Sequence, residues 1–149
     1  MTHSSIEKEI AEKGRLTYTG KGVSMWPLIR QKKDVVVIER PNGRLKKNDV
    51  ALYKLNKNNH RYTLHRIIDV TEKGYICRGD NCMRKEYGIT DEMIIGVMTE
   101  LYRSGKKISL NSAGYKAYVV TNRLSFPVRY CFYIIVRLLR KIKRTIIKR

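Results

Sequence analysis

Residues 34–39 read DVVVIE, and this run decides the fold class. It is too short for a typical helix and rich in β-branched residues, so it predicts a buried strand that ends before Pro41. Further short apolar runs follow, separated by turn residues such as the polar turn at Asn56–Asn59; they span 49–55, 61–70, 75–78, 92–102 and 107–110. Strands at this spacing predict a mainly β fold, a coiled and partly closed antiparallel sheet.

The sequence on either side of these strands divides the chain into three parts. Residues 1–13 predict a short helix, because Ile6 and Ile10 are four apart and Gly14 follows as a stop signal. The β domain then covers residues 14–112, and residues 113–149 are expected to be a linker followed by a basic amphipathic helix. The first 15 residues contain no apolar run, which argues against a secretory signal or an N-terminal anchor.

The three cysteines limit the kind of site that the chain can carry. Cys77, Cys82 and Cys131 form an odd set without CxxC spacing, which argues against a disulfide framework and against a zinc site. Such cysteines fit a reducing compartment, so we expect a cytoplasmic protein. The sequence predicts neither a metal nor another cofactor.

Charge is concentrated at the C-terminal end. Residues 101–149 contain 13 Lys/Arg and no Asp/Glu, so an anionic partner is expected there. At 100° per residue, an apolar face contains Cys131, Ile135, Leu138, Ile142 and Ile146, and a basic face contains Arg137, Arg140, Lys141, Arg144 and Lys148. This pattern is typical of a helix that lies on an anionic membrane, here the inner face; a helix packed on the domain and, less favoured, a nucleic-acid contact remain alternatives.

Three short segments contain residue types that can do chemistry. Ser24 lies in GKGVSMWPLI (20–29), whose glycines and Met-Trp-Pro turn form the rigid setting that a nucleophile needs. His65 lies inside a predicted strand, and an imidazole can accept a proton from serine near neutral pH. Asp80 lies in the turn RGDN (78–81), where a carboxylate can orient an imidazole. Taken singly, each residue also has an ordinary structural interpretation.

Taken together and in this order, SMWP, LHRII, RGDN and IIGVM resemble the motifs of the signal peptidase I-like serine peptidases, which include the autocleaving repressor peptidases. The resemblance covers about residues 14–102 and implies that Ser24 is the nucleophile. Because His65 directly precedes Arg66, the chain is similar to the endoplasmic-reticulum-type branch, in which histidine is the base. Asp80 matches the first acid of that branch, and Glu86 stands at the second as a glutamate where the family has aspartate. Which acid contacts His65 stays open.

The resemblance also implies where a substrate binds. Gly22 replaces a residue that is often a hydroxyl, so the oxyanion would be bound by backbone N–H groups, chiefly that of Ser24. Together with Gly22, Met25 and Pro27 are expected to contact an extended peptide that adds as a strand beside the domain. A leader or signal-like peptide is the expected substrate. The alternatives are a non-catalytic peptide-binding module on the same fold and a repressor-like autopeptidase that associates with DNA.

Overall fold

The computed structural model describes residues 3–55 and 62–147. The predicted turn at Asn56–Asn59 and the predicted basic contact Lys148 lie outside the described residues. Eight strands form one antiparallel sheet within the described part of the chain, and a long helix follows the sheet. The predicted mainly β fold with a C-terminal helix is therefore confirmed.

The elements follow one another in a simple order. The helices are α1 (His3–Lys13) and α2 (Ala113–Ile147), and a short 3-10 turn covers Asp91–Met93. The strands are β1 (Arg15–Thr19), β2 (Asp34–Glu39), β3 (Val50–Lys54), β4 (Tyr62–Thr71), β5 (Gly74–Arg78), β6 (Glu86–Ile89), β7 (Ile94–Arg103) and β8 (Lys106–Ile108). Their order across the sheet is β1-β2-β7-β3-β4-β5-β6, with β8 paired to β7, so the sheet is open.

The core explains why these segments fold as they do. β2 has the bounds that the sequence predicts, and Val36 and Ile38 on it are completely buried. Ile10 of α1 is buried in the same cluster, which fixes the predicted N-terminal helix against the sheet. A second cluster forms around Tyr53 and Ile67, on β3 and β4. The central strands are therefore held from both faces, which makes β4 a rigid base for a functional side chain.

The segment expected to be a linker is helical instead. α2 begins at Ala113, where the Ser112 hydroxyl accepts a hydrogen bond from the N–H of Tyr115 at 3.2 Å and so caps the helix. Tyr115, Tyr118 and Val119 pack against the body of the protein at helical spacing. The same helical spacing is present in the sequence, but the turn residues at 111–112 favoured a linker over a helix there. The first half of α2 is thus part of the folded body.

Candidate active site

Ser24 lies in the loop of residues 20–33 that connects β1 to β2. Met25, Leu28 and Ile29 of this loop are buried in the core, and the Ile29 N–H donates to the Met25 carbonyl at 2.9 Å. The loop is therefore anchored by its apolar side chains immediately after the serine. An anchored loop can present a hydroxyl in a fixed place, as nucleophilic catalysis requires.

A buried carboxylate braces the far end of the same loop. Asp34 accepts hydrogen bonds from the Arg30 N–H at 3.0 Å and from the guanidinium groups of Arg30 and Arg103. Arg103 also donates to the Leu28 carbonyl at 2.7 Å. Burial alone would raise the pKa of Asp34, but the hydrogen bonds from Arg30 and Arg103 outweigh it and hold this pKa below its ordinary value.

The turn after β5 ties the serine loop to the histidine strand. The Asn81 N–H donates to the Ser24 carbonyl at 2.8 Å, and the Asn81 amide donates to the Val23 carbonyl at 3.2 Å. A Cβ added at Gly79 would lie 2.6 Å from the Ser24 carbonyl oxygen and 2.9 Å from His65 Nε2. Ser24 and His65 therefore approach each other across the backbone of Gly79, where only glycine fits.

His65 is oriented by a carboxylate. Its Nδ1 lies 3.0 Å from Glu86 Oε2 and 3.3 Å from the Tyr53 hydroxyl, which itself donates to the same Glu86 oxygen. A carboxylate can only accept, so this contact assigns the proton to Nδ1 and leaves the lone pair of a neutral imidazole on Nε2, the atom beside Gly79. Burial, followed by the hydrogen bond to Glu86, raises the pKa of Tyr53, which keeps its hydroxyl protonated as a donor.

Asp80 has a different partner. Its carboxylate is 2% exposed and accepts from Arg66 Nε at 2.8 Å, from Arg66 Nη2 at 2.7 Å and from the Tyr118 hydroxyl at 2.9 Å. Burial acts to lower the pKa of Arg66, but the bonds to Asp80 outweigh it and raise that pKa, so Arg66 stays charged. This corrects the interpretation of Asp80 as an acid that orients His65. Both its oxygens are already engaged, and Glu86 makes that contact.

Ser24, His65 and Glu86 line one open groove of about 590 Å³. Gly22 and Met25 also line it, as expected of substrate-binding residues. Pro27 is not part of this lining; its carbonyl accepts from Arg103 Nη2 at 3.3 Å. Apolar side chains in this lining come from the loop (Met25 and Ile29), from Leu52 of β3 and from Leu64 of β4.

One wall of the groove is a strand edge. Thr63 and Leu64 of β4 pair with Tyr53 and Leu52 of β3, and within the described residues β5 pairs with β4 only from Arg66 onward. Among the described residues, the backbone at Thr63 and Leu64 therefore has a ladder partner on one side only. Such an edge can accept an added strand.

The backbone around the serine is arranged to leave donors available. Gly22 has φ of 107°, a conformation that a side chain would strain, and it turns the chain immediately before Val23 and Ser24. Among the described residues, the Ser24 N–H donates to no other group. The Ser24 hydroxyl and His65 Nε2 are not hydrogen bonded to each other. Catalytic hydrogen bonds are often long before substrate binds and tighten in the complex.

Sequence reasoning missed three residues that build this groove. Tyr53 supports Glu86, Gly79 allows the close approach, and Asn81 clamps the serine loop. The position of Tyr53 follows from the strand register. Ala51 of β3 pairs with His65 of β4, and Tyr53 projects from the same face of β3 as Ala51, so Tyr53 lies on the His65 side of the sheet. The other two depend on how the turn packs, which a single sequence does not reveal.

The second half of α2 presents the predicted basic and apolar faces. Its charged residues Arg137, Arg140, Lys141 and Arg144 are exposed. Phe132, Ile135 and Leu138 are also more than half exposed. No helix within the described residues is both long enough and apolar enough to cross a bilayer.

Comparison with known proteins adds no relative to this description. No protein-family model matches the chain, and no curated protein matches it.

Proposed function

We propose that this protein is a serine endopeptidase of the signal peptidase type, which cleaves a leader or signal-like peptide. The observation that carries the proposal is the sequence of contacts from Glu86 to His65 Nδ1 and from Nε2 across Gly79 to the Ser24 loop. The resemblance of the four sequence motifs to signal peptidase I-like peptidases supports the same assignment independently.

The chemistry follows from these positions. Ser24 Oγ approaches His65 Nε2 when substrate binds, transfers its proton there and attacks the scissile carbonyl carbon. The Ser24 N–H stabilises the oxyanion, and Glu86 stabilises the imidazolium. The proton then passes from Nε2 to the leaving amine as the C–N bond breaks, which leaves an ester on Ser24. Water, deprotonated by the same imidazole, hydrolyses that ester and restores the enzyme.

The groove favours an extended substrate. A peptide that lies along Thr63 and Leu64 can pair with the open edge of β4 while its scissile bond faces Ser24. Pairing of this kind gives affinity through main-chain hydrogen bonds, and the shallow pockets that receive alternate side chains of the peptide give specificity. Met25 and Leu52 line the groove and offer an apolar contact for a side chain of the substrate.

Labelling with a fluorophosphonate tests the nucleophile without knowledge of the substrate. Such a probe reacts only with a hydroxyl that a base activates, so we expect one label per chain, on Ser24. Ser24→Ala removes the label, and His65→Gln slows labelling by on the order of 10⁴-fold or more, because the proton acceptor is lost. Mass spectrometry of the labelled peptide measures both effects.

Ser104→Ala is the matched control, because Ser104 lies in the exposed turn between β7 and β8. It should label as fast as the wild type. A folded wild-type protein that takes no label, or one whose Ser24 reacts equally fast without His65, contradicts the peptidase. Unlabelled protein that still binds extended peptides would be the non-catalytic module instead.

We further propose that α2 holds the peptidase on an anionic membrane surface. Val120, Leu124 and Val128 are exposed on the docked half of the helix, and they continue the apolar stripe that Ile135 and Leu138 form on the other half. Residues 101–149 carry 13 basic side chains and no acidic one, which matches anionic lipid. Each basic residue near such a surface contributes about 1 kcal/mol.

Vesicle flotation tests this contact. Wild-type protein should float with phosphatidylglycerol vesicles and much less with phosphatidylcholine alone. The double variant Leu138→Gln, Ile142→Gln should bind at least about tenfold more weakly, because each leucine or isoleucine contributes about 1.5–3 kcal/mol when buried. Lys32→Gln, on the exposed loop before β2, is the control and should float like the wild type. Equal flotation of the double variant, or preferential binding to DNA, contradicts the membrane contact.

A further inference from the structure

A second cavity lies between the sheet and the docked half of α2, away from the groove. It has a volume of about 210 Å³ and is lined by Asn48, Ile68, Val119, Asn122, Phe126 and Pro127 together with five basic residues. Those five are Lys47, Arg66, Arg78, Lys85 and Arg123. None of the described residues in its lining is acidic.

Arg78 is the residue that makes this cavity unusual. Its side chain is only 5% exposed, its Nε is buried without a hydrogen-bond partner, and its guanidinium forms no salt bridge with any described residue. Its guanidinium stacks on the ring of Phe126, whose centroid lies 3.5 Å from the guanidinium carbon. Stacking on a ring occupies the face of the guanidinium and leaves the N–H groups at its edge to seek an acceptor.

The local charges do not balance without a further anion. Arg66 and Arg78 lie directly opposite each other on β4 and β5, and among the described residues the salt bridge of Asp80 is with Arg66. Arg129 adds a third cation nearby, and it donates to the main-chain carbonyl of Asp80 rather than to a carboxylate. A buried charge without a partner is costly, so a cluster of this kind is stabilised when an anion enters it.

The rim has the same character. Lys85 and Arg123 are exposed at the cavity and have no acidic partner among the described residues. Lys47 pairs with Asp69 at 3.2 Å, an exposed contact that an incoming anion can replace at small cost. The donors therefore surround the cavity from β4, β5, α2 and the loops beside them.

We propose that this cavity is a binding site for a phosphate group, with Arg78 as its central ligand. Several donors that converge from different elements suit a tetrahedral oxyanion better than a planar carboxylate, and the guanidinium fork matches two phosphate oxygens. The phosphate can be inorganic or can belong to the headgroup of an anionic lipid, which the neighbouring helix would bring close. The site does not depend on the proposed peptidase activity.

Thermal unfolding of the full chain in inorganic phosphate tests the site. At constant ionic strength set with chloride, the wild-type Tm should rise with phosphate concentration, as for any ligand that binds the folded state only. Arg78→Gln should abolish this rise, and Arg137→Gln, which removes the same charge from the far half of α2, should retain it. A wild-type Tm that does not respond to phosphate, or an equal response in Arg78→Gln, overturns the proposal.

A second measurement covers the case in which Arg78→Gln does not fold. Phosphorus NMR of the wild type should show saturable broadening of the inorganic phosphate signal at one site per chain. The rim variants Lys85→Gln and Arg123→Gln should each weaken that binding severalfold, because each removes one cation from the cavity. Unchanged binding in both rim variants, or no saturable binding in the wild type, refutes the site.

Vesicles distinguish the two sources of phosphate. If the natural ligand is a lipid headgroup, the wild type should prefer phosphatidic acid over phosphatidylglycerol at matched zeta potential, and Arg78→Gln should lose that preference. Arg137→Gln should bind both vesicles more weakly yet keep the ratio between them. Phosphate binding without any lipid preference would assign the site to a soluble phosphate.

Discussion

Asp80 lies in the turn after β5 and Glu86 is the first residue of β6, yet these two nearby acids serve two different regions. Glu86 lies at the groove, partly open to solvent, and contacts Nδ1 of the His65 imidazole. Asp80 lies under α2 and is almost completely buried, and both of its carboxylate oxygens accept hydrogen bonds from the guanidinium of Arg66. Glu86 therefore contacts a histidine, which can gain and lose a proton, whereas Asp80 contacts an arginine, which keeps its charge.

This difference separates chemistry from architecture. When an imidazole takes up a proton during a reaction, a carboxylate in contact with it becomes half of an ion pair, and the charge that appears is stabilised. A carboxylate already paired with arginine can take no part in such a change. It can only hold together the elements that surround it, which are here β4, the turn after β5 and the start of α2.

The largest effect is expected from Glu86→Gln, in the rate of fluorophosphonate labelling at Ser24. The amide can donate to Nδ1 and so favour the tautomer with the proton on Nε2, where the base must be free; the corresponding acid-to-amide change in a Ser-His-Asp triad slows the reaction about 10⁴-fold. The free energy of unfolding should fall by only about 1 kcal/mol, because the amide nitrogen at the place of Oε2 has a second N–H that the Tyr53 oxygen can accept.

Glu92→Gln is the control for this change, because Glu92 is exposed in the 3-10 turn before β7. Its labelling rate should equal that of the wild type. If Glu86→Gln labels as fast as the wild type while Asp80→Asn, still folded, is slow, the assignment of the two acids must be reversed.

The second effect is expected in stability, from Asp80→Asn. The substitution leaves Arg66 charged and buried without its partner, which costs about 3–5 kcal/mol of unfolding free energy. Asp69→Asn provides the matched comparison, because the Asp69–Lys47 pair is exposed and should contribute less than about 1 kcal/mol. Urea unfolding of both variants measures the difference. Equal effects would mean that the junction under α2 is not held by the Asp80–Arg66 pair.

The sequence predicted the strands well and the partners of the polar residues poorly, for a physical reason. A run of apolar residues such as DVVVIE at 34–39 predicts a buried strand by its composition alone, and β2 has those bounds. The contact between Glu86 and His65 depends instead on the register of β4, β5 and β6 and on the bulge between Ile67 and Asp69. Charges alone left two acids as candidates, because nothing local distinguishes an acid that will meet arginine from one that will meet histidine.

Helix α2 illustrates the same limit from the other direction. The exposed stripe around Ile135 and Leu138 is a matter of periodicity within one element, and the sequence predicted it. The contacts of Tyr118 and Asn122 with Asp80 join residues about 40 positions apart. They make the segment that was expected to be a linker part of the folded body. Patterns within one element can thus be predicted from the sequence, whereas contacts between elements can be identified only once the arrangement of the strands is known.

The smallest effect concerns Asp34, which extends the comparison to the loop that carries Ser24. Its folded-state pKa is lowered by Arg30 and Arg103, so it stabilises the fold at neutral pH, and this contribution is lost as the pH falls below about 4 and passes through the folded-state pKa. Both arginines are about one-third exposed, which limits the effect. Asp34→Asn should therefore differ in unfolding free energy from the wild type most at pH 7 and least at pH 2. A difference that does not shrink with acid would mean that the charge of Asp34 is not what stabilises the loop, and no difference at any pH would mean that Met25 and Ile29 alone anchor it.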